Sequence, residues 1–171
     1  IISTMCGCFA ALVVAKLIAV ISPYRARPLH ESTLDLTLPY GVTMTDLEGW
    51  SSFPSDHAVL FYTLSVGLLF VSRRVGAIAI IYTSLIIALP RVYLGFHYPT
   101  DIFAGALVGV FVATLFNSRF FNQRVSSKIV NASQSRPELF YPLFFIVTYQ
   151  FTDMFDQTSA ALYFLESALL Q

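Results

Sequence analysis

The sequence predicts an all-α fold: a bundle of membrane-spanning helices with a chemically active site at the membrane boundary. Three observations carry this. Of 171 residues, 56% are hydrophobic and 12% charged, with mean hydropathy +0.69, whereas soluble domains have about 25% charged residues. Apolar runs of roughly 18 residues or more recur, the length needed to cross a hydrocarbon core. The ionisable residues gather at the ends of these runs, where desolvation is costly and such groups are functional by default. The formal net charge of zero argues against a nucleic-acid partner. With no internal repeat, residues 1–171 read as a single membrane domain, its core at 1–118, with a basic connector and C-terminal apolar and amphipathic helices over 119–171.

Ile1 to Ile21 reads as the first membrane helix, with Pro23 beyond its end. Lys16 lies one turn short of the boundary and either snorkels to the interface or directs its cation at the site. Cys6 and Cys8, two apart, do not face each other on a helix and read as small apolar residues. Tyr24 to Ser52 is a polar loop of about thirty residues, a length that is usually functional. It carries Glu31, Asp35, Asp46 and Glu48, and Trp50 and Tyr40 suit the headgroup level. Short interfacial helices are expected there, and His30 reads as a surface histidine.

Pro54 to Val71 is expected as the second helix, with Arg73 and Arg74 as interface anchors beyond it. Val75 to Leu94 is the third, which Pro90 should end or kink. Pro99 to Phe116 is the fourth, where Gly105 and Gly109 allow close helix contact. Asn117 to Pro137 is a polar connector with Arg119, Arg124, Lys128 and Arg136. Glu138 to Thr152 is apolar again and either spans or lies in the interface. Asp153 and Asp156 interrupt it, and Gln157 to Leu170 has helical periodicity.

The chemistry gathers in Pro90 to Asp101. Pro99 suits the first position of a helix, so Asp101 falls in its first turn and His97 just before it. A carboxylate there can accept a hydrogen bond from one imidazole nitrogen, leaving the other lone pair free to attack. Arg91 can hold an anion before that nitrogen with a planar fork of donors. Phe53-Pro54-Ser55-Asp56-His57 places a second histidine at a helix start, where unpaired N–H groups attract anions. Arg25-Ala26-Arg27-Pro28 adds two guanidinium groups. Asp56 would repel an anion unless Arg25 or Lys16 pairs with it. The carboxylates are too few, and too close to arginines, for a metal site, so a metal-independent enzyme without cofactor is expected.

Arg27-Pro28, then Pro54-Ser55-Asp56-His57, then Arg91, His97 and Asp101, in that order, resembles the type-2 phosphatidic acid phosphatase superfamily. The match spans about residues 16 to 110. Pro-Ser-Asp-His, followed by His-Tyr-Pro-Thr-Asp, most resembles the bacterial undecaprenyl-diphosphate phosphatase branch. The resemblance implies that His97 attacks phosphorus to form a phosphohistidine and that Asp101 orients it. His57 would protonate the leaving oxygen and then activate water. Arg27, Ser55 and Arg91 would bind the phosphoryl oxygens; Arg25 is an extra cation that either holds a second phosphate or pairs with Asp56. The family lysine, seven residues before the arginine of Arg-Pro, falls on Val20 here; Lys16 lies one turn earlier. Where the family often has serine, this chain has Pro90.

The implied activity is hydrolysis of a lipid phosphate monoester or diphosphate, with undecaprenyl diphosphate favoured. Phosphatidic acid, phosphatidylglycerol phosphate and phosphoryl transfer to another acceptor stay open. A vanadate-dependent haloperoxidase is disfavoured because those relatives are soluble, and a lipid-binding or flipping protein would not need both histidines at helix starts. The family core has six helices with Arg-Pro after the third, so two further helices are expected upstream of Ile1. Six basic residues (Arg73, Arg74, Arg119, Arg124, Lys128 and Arg136) lie on the expected far side and three (Arg25, Arg27 and Arg91) on the site side. Positive residues stay in the cytoplasm, which puts the site on the outer face of a bacterial inner membrane.

Overall fold

A computed structural model describes residues 2–31, 49–118, 121, 127–145 and 149, and among them there are helices and turns but no strand. The chain divides into two compact units, Ile1–Val125 and Ser126–Gln171. The first contains α1 (Ile2–Ile21), α2 (Asp56–Leu69), α3 (Arg73–Tyr93) and α4 (Pro99–Phe116). Three of these, α1, α3 and α4, are long and apolar enough to cross a membrane. The protein is an all-α integral membrane helical bundle. In the second unit α5 covers Ser127–Ser135, residues 137–145 are helical, and Phe140 stacks on Phe144 with ring centroids 5.9 Å apart. Residues 32–48, where the interfacial helices are expected, and the tail from Thr152 lie outside the described residues.

The bundle is held by small residues. α2 packs against α1, α3 and α4. Ala11, Ala15, Val59 and Val112 form one buried cluster; Ala58, Ala88 and Ile102 form another. Large apolar side chains point away from these contacts, including Phe9, Leu17, Ile78, Ile81, Phe103 and Phe111. A water-soluble core would bury such residues; hydrocarbon offers them an equally good solvent, so contact between helices depends on close backbone approach. Gly105 and Gly109 supply that approach, as the Gly-x3-Gly spacing suggests. A Cβ on Gly105 would stand 2.8 Å from the Ser55 carbonyl oxygen, and one on Gly109 would stand 2.7 Å from that of Val59.

Two boundaries differ from the sequence expectation. The second helix is not Pro54 to Val71 but fourteen residues, Asp56–Leu69, about 21 Å long. Ser55 caps it, its hydroxyl accepting from Ala58 N, which leaves Pro54 outside after a cis Phe53–Pro54 peptide. Pro90 does not end the third helix, which continues to Tyr93. A π-helical segment, Thr83–Ala88, precedes the proline. The wider turn shifts the hydrogen-bond ladder by one residue and accommodates a ring that has no N–H to give. It also presents Thr83 and Ser84 to α2, where Ser65 and Thr83 share a buried hydrogen bond of 2.9 Å and Tyr62 and Ser84 one of 2.8 Å.

Candidate active site

Three backbone segments converge at one end of the first unit: the stretch after α1, the residues leading into α2, and the turn between α3 and α4. Backbone hydrogen bonds fasten them together. Leu29 N donates to Gly95 O at 3.0 Å, Ser52 N to Arg25 O at 2.8 Å, and Ser55 N to Asp101 O at 3.2 Å. Gly95, at φ 73°, takes the left-handed conformation the α3–α4 turn requires. Phe96 N and His97 N both donate to the Arg91 carbonyl, which closes the turn under the histidine.

His97 is buried. Its Nδ1 lies 2.9 Å from the Ser52 carbonyl oxygen; a carbonyl only accepts, so Nδ1 carries the hydrogen and the neutral ring keeps its lone pair on Nε2. Arg27 Nη1 stands 3.4 Å from that Nε2 and donates to Phe96 O at 3.0 Å. Burial, with the nearby Arg27 charge second, pushes the His97 pKa down to about 3, against the raising effect of the Ser52 carbonyl; Arg91 and His57 add smaller lowering effects. The ring is therefore a neutral base with cationic neighbours.

Asp101 has no exposed surface. It is the N3 residue of α4 and accepts from Tyr98 N at 2.9 Å. Ser52 Oγ donates to its Oδ2 at 2.5 Å, and Arg25 Nη1 to its Oδ1 at 2.7 Å. Its Oδ2 is 4.0 Å from His97 Nδ1, beyond hydrogen-bonding range. The direct imidazole–carboxylate bond expected from the sequence is thus replaced: the Ser52 carbonyl takes the ring hydrogen, and the carboxylate holds the Ser52 hydroxyl. Arg25 also donates to Thr100 Oγ1 at 2.9 Å and lies over the Tyr98 ring, 4.1 Å from its centroid.

His57 is half-buried in the first turn of α2, near enough to Arg91, Asp56, Arg27 and Lys16 to feel their charges. Lys16 Nζ pairs with Asp56 Oδ2 at 2.9 Å and sits over the Trp50 ring, 4.2 Å from its centroid. Of the two partners weighed for Asp56, Lys16 takes it. Trp50 is accordingly packed on a cation. Arg27 Nε is buried without a hydrogen-bond partner. Among the described residues the Arg91 guanidinium has no ion pair or hydrogen bond, and it is close enough to Arg27 for the two charges to repel. Desolvation lowers the Arg27 pKa, opposed chiefly by Asp56.

His30, expected at the surface, is half-buried, with its Nε2 enclosed and unpaired. Ser52 is the residue the motifs missed: it has no periodicity or charge to mark it, and its partners are 45 and 49 residues away. Among the described residues no group of three or more His, Cys, Asp or Glu is placed to hold a metal ion.

The arrangement is a membrane helical bundle that gathers two histidines and several arginines at one end. The sequence model of the PAP2 superfamily matches residues 2–124, and the chain belongs to that family. It is 29% identical over 107 residues to a Bacillus subtilis protein named undecaprenyl-diphosphatase BcrC, covering 63% of this chain and 51% of that one. A Bacillus licheniformis protein named bacitracin transport permease protein BcrC is 34% identical over 45% of this chain and 37% of its own length. One from Escherichia coli, named putative undecaprenyl-diphosphatase YbjG, is 37% identical over 34% of this chain and 30% of its own. The chain thus spans about half the length of such relatives or less. No solved structure matches it.

Proposed function

We propose that this chain carries the catalytic site of an integral membrane lipid phosphatase, with undecaprenyl diphosphate the favoured substrate, working through a phosphohistidine. The observation that carries the reading is the His97 ring: neutral, with its Nε2 lone pair turned toward Arg27 and Arg91 close to both. Nε2 attacks phosphorus, the N–P bond forms, and the P–O bond to the leaving group breaks. His57, which takes up a proton as the anionic substrate offsets the surrounding cations, gives it to the leaving oxygen. It then takes one from water, which attacks phosphorus, breaks the N–P bond and returns His97. Arg27 and Arg91 stabilise the equatorial oxygens where charge develops, with the Ser55 hydroxyl and N–H groups at the start of α2 assisting. The names of the Bacillus subtilis BcrC and Escherichia coli YbjG relatives support the choice of lipid.

The positive-residue bias supports a site on the outer face of a bacterial inner membrane, suited to a carrier lipid recovered after its cargo leaves. Impermeant maleimide on intact cells should label Tyr24→Cys and spare Val71→Cys, on a background without Cys6 and Cys8; the reverse pattern removes the orientation.

The direct test is phosphate release by purified protein from undecaprenyl diphosphate, phosphatidic acid and phosphatidylglycerol phosphate in parallel. Activity should survive chelation by EDTA. His97→Ala should abolish both phosphoenzyme and turnover, and His57→Ala should slow turnover by roughly two to four orders of magnitude. An active His97→Ala protein ends the mechanism.

A further inference from the structure

We propose that Ser52 is a positioning residue through which Asp101 holds His97 in the tautomer that leaves Nε2 free. The inference rests on the phosphatase reading for its catalytic consequence but not for its geometry.

Ser52 joins both sides of the link. Its hydroxyl donates to Asp101 Oδ2, and its own carbonyl accepts the Nδ1 hydrogen of His97 at 2.9 Å. The peptide is fixed at a third point, Ser52 N on Arg25 O at 2.8 Å. Arg25 in turn grips the other carboxylate oxygen of Asp101, so Arg25, Ser52 and Asp101 close a ring of hydrogen bonds. The residue has no exposed surface, and water cannot replace these partners easily. A buried carbonyl held in this way prescribes which ring nitrogen carries the hydrogen.

The carboxylate is 4.0 Å from Nδ1 and takes no hydrogen from it. Its influence on the ring therefore passes through the serine. The arrangement also suits the reaction. When Nε2 bonds phosphorus, the ring becomes cationic, and its Nδ1–H already points at a carbonyl whose own residue is tied to a carboxylate. The positive charge is met without a proton moving to Asp101, which keeps its three donors.

The test uses the full chain in detergent micelles, labelled with 15N-histidine. The protein has three histidines, so single replacements of His30 and His57 assign the His97 signals. Wild-type His97 should show a protonated Nδ1 and an unprotonated Nε2. Ser52→Ala removes only the hydroxyl; the Nδ1–H population should fall, and kcat should drop by about 10- to 100-fold, the cost of a small misplacement of a reacting group, with KM nearly unchanged. Because the two side chains act as one device, Ser52→Ala combined with Asp101→Asn should be no slower than the slower single variant. A Ser52→Ala protein with the wild-type tautomer and kcat overturns the proposal, and so do multiplicative losses in the double variant. Should Ser52→Ala fail to fold, folded Asp101→Asn decides: retained Nδ1–H overturns the link, and its loss supports it. A protein that shows the tautomer change but hydrolyses none of the lipid phosphates refutes the phosphatase reading and leaves the positioning role standing.

Discussion

The two aspartates of the site differ in what surrounds them. Asp101 is fully buried and receives Arg25, Ser52 and the Tyr98 N–H. Asp56 is partly exposed and pairs with Lys16, itself about a quarter exposed and resting on Trp50. Each aspartate commits one cation to the protein. Of the four cations Lys16, Arg25, Arg27 and Arg91, two are thereby neutralised and two are left facing His97. The difference teaches how, on the proposed phosphatase reading, an anion site could lie beside two carboxylates and still attract phosphate. The fixed pairs shape the walls, and the uncommitted pair, partly desolvated, supplies the field.

Kinetics should break or confirm this division most forcefully. On the proposed mechanism Arg91→Ala removes a donor to charge that develops in the transition state and should cost about 10²- to 10³-fold in kcat. Lys16→Ala removes a cation already committed to Asp56 and should cost far less. Steady-state phosphate release from a lipid diphosphate compares them; equal losses would mean that Lys16 leaves Asp56 when substrate binds and serves as a phosphate ligand.

Stability should separate the aspartates next. Asp101→Asn weakens a buried charge-assisted network and should lower stability by about 1.5–3 kcal/mol. Asp56→Asn breaks a partly exposed pair, worth about 0–1 kcal/mol. Thermal unfolding in detergent measures both, and the assignment of the structural role to Asp101 fails if Asp56→Asn is the more damaging.

Much of this division was legible in the sequence. Proline and aspartate at the start of α4, and Pro-Ser-Asp-His ahead of an apolar run, marked helix ends because few residue types suit those positions. The ordered spacing of Arg27, His57, Arg91, His97 and Asp101 marked one end of a bundle, because alternate helix ends share a side. The partners were less accessible. Whether Arg25 would meet Asp56, Asp101 or a phosphate depends on how two loops lie together, and neither loop has periodicity. Ser52 stayed hidden for the same reason: half of what it does is done by its carbonyl, and every residue has one. Pro90 left an end or a kink open, because the rule for helix interiors assumes an α-helical ladder; the π segment before it supplies another, and the helix runs on to Tyr93.

The smallest expected effect concerns protonation. A free histidine titrates near 6.5, but burial and the Arg27 charge disfavour the imidazolium, and His97 is pushed down to about 3. As pH falls through 6.5, an unfolded chain takes up a proton here while the folded one does not. The favourable contribution to stability is therefore fully present above about pH 6.5 and declines toward pH 3. His97, the proposed nucleophile, likewise stays unprotonated across the physiological range, so it should add no acid limb to kcat/KM above about pH 4. Arg27→Ala takes away a positive neighbour and must move the His97 pKa upward, toward the free value. Lys16→Ala should leave it nearly still, since that charge is already answered by Asp56. Histidine 15N shifts followed from pH 7 to pH 4 distinguish the two variants. A His97 pKa that rises equally in both would show that Lys16 and Arg27 act on the ring alike, and the separation of committed from uncommitted cations would fall.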